Sequence, residues 1–508
     1  KGRHTPLWLK IQKEEIQMRN LKRALSLALA AIMLIGMMVV SASAASYNNL
    51  TDKDEIVNKD AVSMLVSLGI IEGKPDGSYG PTENVDRAQM AKMLSVIMNK
   101  GVDNSALYQS VNSGLTDITS NWAKGHINYC YTTGIIAGRG NGKFDPSATV
   151  TALEAAKMLL AVGYDPKIEG FEGADWAINV SVRADEQGIF EGFTKDLSAP
   201  LNRDDAALLI YNALDVEMIQ SYTTNNYPIA YSDHRTILAD KYGVIKVQGV
   251  VVANEWASLA SDDGDAALKE GKTTIYNGEG IFSTTGNTTV SKEDASLKTQ
   301  TFNVSTPVDM LGKTVNLYIK KTTILADSTV YGDPVVSDVN TVVTTGETVL
   351  YSGAKDPQVD YDKLLGENGL TDKDAKYFWN YNSGKYIPNT TEKYGDKTAN
   401  VKGATLTIID NNGDGEVDYV LSVEKALADI TSVNSKKETV TVRTLGTLDN
   451  KDVVGYEDMA KEDVVLYVQY GGRTYLEKPE VVTGEMEHFN VKVTEQYMTA
   501  GGETDDAE

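Results

Sequence analysis

The sequence predicts a multidomain chain, in which an all-α N-terminal bundle of three repeats is followed by all-β modules of barrel or sandwich type. Three observations carry this reading. The chain has 508 residues, too many for one compact core. A helix–loop–helix motif recurs three times between residues 46 and 218. After about Asp215 the helical stripes stop, and runs rich in Val, Thr, Tyr and Gly take over, as strands do.

The first element is an export signal. Residues 1–17 precede Met18 and read as mis-annotated upstream sequence. Arg19, Lys22 and Arg23 make a basic start, Ala24 to Val40 is apolar, and Ala42-Ser43-Ala44 supplies small residues for cleavage. That order defines a secretory signal peptide over 18–44. The apolar run is also near the minimum for a membrane span. The small-residue site favours cleavage, so a retained transmembrane anchor is not expected.

The repeats come next, at 46–110, 111–166 and 167–218. Leu50-Thr51-Asp52 matches Leu115-Thr116-Asp117, and Gly69-Ile70-Ile71 matches Gly134-Ile135-Ile136. Gly77, Tyr79 and Pro81 match Gly142, Phe144 and Pro146. Gly69 to Gly134 is 65 residues, and every other pair keeps that spacing without a gap. The third copy is more diverged: Trp176 answers Trp122, Gly188-Ile189 answers Gly134-Ile135, and Pro200 answers Pro146. In the first copy Val57, Ala61, Leu65 and Leu68 recur at helical spacing. Gly69 then ends the helix, Asp76-Gly77 turns the chain, and Met90, Met93, Leu94 and Ile97 line one face of a second helix. One hairpin cannot bury such a stripe alone, but three can bury it together.

These motifs resemble the S-layer homology (SLH) family over roughly Ser46 to Met218. The resemblance rests on the W-x(n)-G-I-[IF]-x-G run, the D-G-x-[FY]-x-P loop and a short motif opening each second helix. It implies non-covalent binding to secondary cell-wall polymers, often through a pyruvylated sugar, and an extracellular place at the cell wall. It further implies a structural S-layer protein able to self-assemble into a surface lattice, or an exoenzyme held on the wall. The family's T-R-A-E motif reads here as Asp86-Arg87-Ala88-Gln89, Thr151-Ala152-Leu153-Glu154 and Asn202-Arg203-Asp204-Asp205. A guanidinium matches a carboxylate with two charge-assisted bonds, and sugar faces stack on aromatic rings. The candidate polymer-binding residues are therefore Arg87, Arg203, Trp122, Trp176, Gln89, Thr151 and Glu154. The first copy has Val57 in place of a tryptophan, and the second has Ala152 in place of an arginine. A groove between copies can still combine Arg from one with Trp from another. The arginines also have a plain structural use, solvating a helix start, and the tryptophans have one as core filler.

The C-terminal half reads as a linker (219–245), a β-module with insertions (246–428), a second β-module (429–495) and an acidic tail or linker (496–508). Val247 to Val252, Thr314 to Ile319 and Thr439 to Val442 are strand-like, in antiparallel domains. Gly249 to Asn254 resembles Asp429 to Asn434, and Val315 to Ile319 resembles Val464 to Val468, in the same order. The run Asp410-Asn411-Asn412-Gly413-Asp414-Gly415-Glu416-Val417-Asp418 fits D-x-N-x-D-G-x-x-D. Oxygens from Asp410, Asn412, Asp414, Glu416 and Asp418 suit calcium. Leu421 stands at the twelfth position, however, and the flanks read as strands. The same run also reads as a polar hairpin turn.

Net charge is −23, which disfavours nucleic acid, because phosphate binding needs clustered Lys and Arg. Cys130 is the single cysteine and sits in an apolar register with Ala123 and Ile127, as a buried thiol. No G-x-S-x-G, H-E-x-x-H or phosphate loop is present. Catalytic residues are not assigned, and no cofactor other than calcium is expected. A wall-anchored polysaccharide hydrolase or an adhesin stays open beside the structural reading.

Overall fold

A computed structural model describes residues 47–260, 267–281, 297–320, 325–344, 361–383, 404–479, 491–494 and 497–500. The predicted signal peptide at 18–44 and the stretch 1–17 lie outside these residues. Helices follow the repeat in pairs: α1 (Lys59–Ser67) with α2 (Arg87–Met98), α3 (Lys124–Thr132) with α4 (Ala152–Gly163), and α5 (Trp176–Glu186) with α6 (Arg203–Ala213). Two compact units group the chain as residues through 158 with 191–211, and 159–190 with 212 onward.

In the first unit each helix stops for a local reason. Gly69 and Gly134 take φ of +70° and +79°, a left-handed conformation that costs glycine nothing. The next residue then folds back, with Ile70 N–H donating to Leu65 O (2.9 Å) and Ile135 N–H to Cys130 O (2.9 Å). Asp52 holds the following loop by accepting from Tyr79 N–H and Gly80 N–H, both at 2.7 Å. Asp117 does the same for Phe144 and Asp145. Burial pushes the Asp52 carboxyl up, but the Gly80 and Tyr79 bonds more than offset it and leave it below its ordinary value. Val57 departs from the expected apolar stripe: it precedes α1 and is 82 % exposed, while neighbouring Ile56 turns inward at 2 %. The helix begins only after Asn58, so helical periodicity does not reach Val57.

Short extended segments before the second helices meet at the centre. Val85 N–H donates to Leu201 O (2.9 Å), Leu201 N–H to Val150 O (2.8 Å), and Val150 N–H to Val85 O (3.0 Å). The ring is closed, and all three side chains are buried. From it each second helix starts on a neighbouring copy's loop. Arg87 and Ala88 N–H donate to Ala148 and Pro146, Arg203 and Asp204 N–H to Glu83 and Pro81, and Leu153 N–H to Leu197. First-turn amides that a helix cannot satisfy internally are satisfied there.

The second unit begins with residues 159–190 and 212–242. Where the sequence suggested a linker, β1 (Ile219–Tyr222) pairs with β2 (Pro228–Ala230), and α7 (Ile237–Tyr242) follows. Leu238 N–H bonds Leu214 O, and Arg183 reaches Glu169 at 2.9 Å. The chain then builds three sheets. In the first, β3 (Ile245–Asn254), β4 (Thr273–Tyr276), β5 (Thr299–Phe302), β6 (Thr314–Lys320) and β7 (Thr329–Val336) lie in the order β5-β4-β3-β6-β7.

In the second sheet, β8 (Thr341–Thr344), β9 (Lys376–Trp379), β10 (Asn382–Ser383), β11 (Ala404–Asp410) and β12 (Tyr419–Glu424) lie as β10-β9-β12-β11-β8. Helix α8 (Tyr361–Glu367) belongs to this insertion. In the third, β13 (Ala426–Asn434), β14 (Thr439–Val442), β15 (Gly446–Asp449), β16 (Val453–Val454), β17 (Val464–Tyr470) and β18 (Arg473–Glu477) lie as β15-β14-β13-β17-β18-β16. A hairpin of β19 (Val491–Thr494) and β20 (Tyr497–Ala500) comes last, partly within the expected tail.

Three expectations change here. Each described sheet is open, with two edges, so none closes as a barrel. The pairing is not wholly antiparallel, since β12 runs parallel to β9 and β16 to β18. Two short helices also interrupt the β-rich region, so it is not all-β.

The weak internal repeat has a structural counterpart. Gly249 pairs with Val315, as Asp429 pairs with Val464. Asn254 pairs with Thr273, as Asn434 pairs with Thr439. In both modules a long strand carries a bulge and pairs with different partners along its two halves.

Burial raises the Glu424 carboxyl from 4.5 to about 7. The folded chain therefore binds a proton that the unfolded chain has released between those values. Its stabilisation is complete below pH 4.5 and is lost as pH rises through 7. Urea unfolding of the β-rich region at pH 5 and pH 8 should show the loss, and Glu424→Gln should flatten it.

Candidate functional site

In the first unit a groove of about 210 Å³ lies over the first copy. Its floor is Ile70, Ile71 and Tyr79, and its rim carries Lys74, Gln89, Lys92, Trp122 and Arg203. Arg203 comes from the third copy and Trp122 from the second, so neighbouring copies do combine. The backbone explains this: the central ring lays the start of α6 on the first copy's Pro81 and Glu83.

Arg203 stacks over the Tyr79 ring at 4.6 Å and gives one N–H to Glu72 O at 3.1 Å. The Tyr79 hydroxyl in turn donates to Arg203 O at 2.8 Å. Arg203 Nε is buried without a protein partner. Burial pushes the Tyr79 phenol well up, so it stays neutral. Trp122 is 57 % exposed and meets His126 edge-on at 6.3 Å. His126 is itself fixed by Ser95 Oγ at 2.6 Å, and burial lowers its pKa. Lys92 pairs with Glu72 at 3.2 Å, and Lys74 pairs with Glu83.

Arg87 occupies the corresponding place beside the second copy, with different exposure. It is 4 % exposed, donates to Phe144 O (2.9 Å) and Ala137 O (2.8 Å), and lies 4.4 Å over the Phe144 ring. Burial, aided by Arg139, pushes it down to about 10, so it remains charged at neutral pH. Gln89 and Glu154 are capping residues. Gln89 closes a capping box with Asp86, and Glu154 exchanges bonds with Thr151. Glu154 also pairs with Arg139 at 2.7 Å. Ala152 is fully buried. Trp176 opens α5 in the second unit and is partly buried. Sequence reasoning missed Lys74, Lys92, Tyr79 and Arg139. Only Tyr79 had a signal, the aromatic of the D-G-x-[FY]-x-P loop.

The Asp410–Asp418 run is a hairpin turn between β11 and β12. Asp410, 1 % exposed, accepts from Asn412, Gly413 and Gly415 N–H. Asn412 and Asp414 each accept from the amide two residues on, Asp418 from Asn411 N–H, and Glu416 pairs with Lys373. Among the described residues no group of three or more His, Cys, Asp or Glu is gathered as for a metal ion. Loop amides thus bond oxygens of Asp410, Asn412, Asp414 and Asp418, and Lys373 holds Glu416.

Two outcomes are expected. Arg87→Ala strands the buried Phe144 carbonyl, removes the bond to Ala137 O and opens a cavity beside Phe144, so it should cost about 2–4 kcal/mol, read as a lower thermal midpoint of the helical unit. Titration with millimolar calcium should give no heat and no shift in unfolding. A saturable heat would instead assign the Asp410 loop to the ion.

The S-layer homology domain family matches residues 49–91 and 114–156, the first two copies. A cell surface protein of Thermoanaerobacter kivui is 27% identical over 269 residues, covering 53% of this chain and 32% of that protein. An S-layer protein of Bacillus licheniformis is 34% identical over 113 residues, 22% of this chain and 12% of the relative. An amylopullulanase of Thermoanaerobacterium thermosulfurigenes is 31% identical over 172 residues, 31% of this chain and 9% of the enzyme. The chain thus spans about a third or less of the length of these relatives. No helix among the described residues is long and apolar enough to cross a membrane. The chain is an S-layer homology domain protein of the bacterial cell surface, placed outside the cell at the wall.

Proposed function

We propose that the three copies form one anchor, and that its groove over the first copy holds an acidic sugar of a secondary cell-wall polymer, with a pyruvate ketal as the carboxylate donor. The observation that carries this is the meeting of Arg203 and Trp122 in one groove. A guanidinium face and an open indole together match a carboxylate on a sugar ring. Lys74 and Lys92 are each paired with a glutamate, so Arg203 is the cation that a chain of net charge −23 offers an acidic polymer here. The β-modules then serve as surface-layer material. This structural reading is favoured by the surface and S-layer proteins among the relatives.

The amylopullulanase among the relatives supports a second reading, an anchor for a polysaccharide-degrading enzyme. Extraction of native walls with a chaotrope separates the two. Abundant release followed by reassembly into sheets supports the structural role, whereas scarce protein that hydrolyses polysaccharide supports the enzyme.

For the anchor, Arg203→Ala and Trp122→Ala should each weaken sedimentation with purified wall sacculi by about tenfold or more, an anchor contact of at least ~1.4 kcal/mol. Circular dichroism should show both variants folded. Full binding by both would remove the groove from consideration.

A further inference from the structure

A buried titratable group stands behind one wall of the groove. His126, on α3, is 3 % exposed and meets edge-on the ring of Trp122, the indole that lines the groove. We propose that His126 makes the groove's hold on an acidic sugar proton-dependent: a proton on Nε2 closes an ion pair with Asp103, places a positive charge behind Trp122 and tightens binding in mildly acid solution. This rests on the anchoring function proposed above.

The single hydrogen of a neighbouring hydroxyl decides where the proton goes. Ser95 Oγ donates it to Lys92 O at 2.9 Å, so at its 2.6 Å contact with His126 Nδ1 the hydroxyl must accept. Nδ1 therefore carries the hydrogen of the neutral ring, and Nε2 is bare. Asp103 Oδ2 stands 3.7 Å from Nε2. Two acceptors face each other there until a proton reaches Nε2 and turns the contact into a charge-assisted bond. Burial raises the Asp103 carboxyl, but the bonds from Ser105 more than offset it and leave it below its ordinary value. Asp103 is thus ionised already, and a proton taken up by His126 adds a full positive charge.

The surroundings pull on the ring in opposite directions. Burial pushes His126 below its ordinary value, Asp103 draws it up, and Lys92 of α2 pushes it down. Lys92 is itself paired with Glu72 on the groove wall. An anionic sugar seated against Trp122 acts as Asp103 does, from the other side, and favours the proton. By linkage the proton then favours the sugar to the same degree.

The fold does not call for a histidine at this place. Ala61 lies 65 residues before His126, Leu160 lies 65 after Ser95, and Val180 follows Trp176 as His126 follows Trp122. All three are buried, and apolar side chains fill such positions without the cost of burying polar groups. What the Ser95–His126 pair adds is a charge that can be switched between about pH 5 and 8.

The test is calorimetric titration of the full chain, from pH 8 to pH 5, with repeat-unit fragments released from purified secondary wall polymer. A carboxylate on the fragment stays ionised over that range. Affinity should rise by about threefold to tenfold as pH falls, with net uptake of protons on binding. His126→Asn keeps a donor for Ser95 and takes no proton, so it should bind at every pH as the wild type does at pH 8. Asp103→Asn, at a half-exposed position, should move the rise to lower pH. In NMR titration of the histidine-labelled chain, the His126 midpoint should move up when fragment is added and down in Asp103→Asn, which also identifies its signal. A wild-type affinity that does not change with pH, the same rise in folded His126→Asn, or a His126 midpoint that the fragment leaves in place would overturn the proposal while the anchor stands. Absence of binding at every pH would overturn the anchoring reading as well.

Discussion

The helical unit depends on a ring of three backbone hydrogen bonds, Val85 to Leu201, Leu201 to Val150 and Val150 to Val85. Each bond alone contributes about 1 kcal/mol net. Their weight comes from burial: an amide left open among Val85, Val150 and Leu201 has no water to replace its partner. The ring also fixes direction. Each extended segment leads straight into a helix whose first amides rest on another copy's loop. The cyclic order brings Arg203 onto the first copy and Arg87 onto the second. Nothing in a single copy carries that information.

The same placement separates two roles that one residue type can hold. Arg87 and Arg203 both stack on the aromatic of the receiving loop and both donate to the carbonyl that follows its G-I-I run. Arg87 is enclosed and spends its charge on the fold, near Asp117, Asp145 and Glu154. Arg203 remains on a groove wall beside Trp122. Repetition of a motif thus conserves the architecture while the ligand chemistry drifts. Glutamine at Gln89 and glutamate at Glu154 close the same kind of capping box, and the glutamate adds a negative charge that Arg139 meets.

The β-rich region repeats the lesson on a larger scale. The β3 and β13 modules share strand order and pairing register, although their sequences agree only in short runs. A long bulged strand can serve two neighbours because the bulge increases local twist and redirects its second half. Insertion of a separate sheet between the modules left that topology in place. The Asp410 hairpin sits at a junction of these parts, with Asn411 bonded to Gly312 O and Thr314 Oγ1 bonded to Asn411 O. Its polar side chains thereby fasten one sheet to another.

By itself the sequence determined the local grammar of this protein. The glycines that end the first helices, the capping pairs and the main strands act through neighbours close in the chain or through strict periodicity, and such signals are readable in one dimension. Tertiary structure alone decided which copy each arginine serves, that Val57 faces solvent, that residues 219–242 pack instead of linking, and that the sheets stay open. It also brought Lys74, Lys92, Trp122 and Arg203 to one rim. The placement of the arginines depends on contacts between residues as far apart as Glu72 and Arg203, set by the closure of the central ring, and no local pattern records which segments that ring will join.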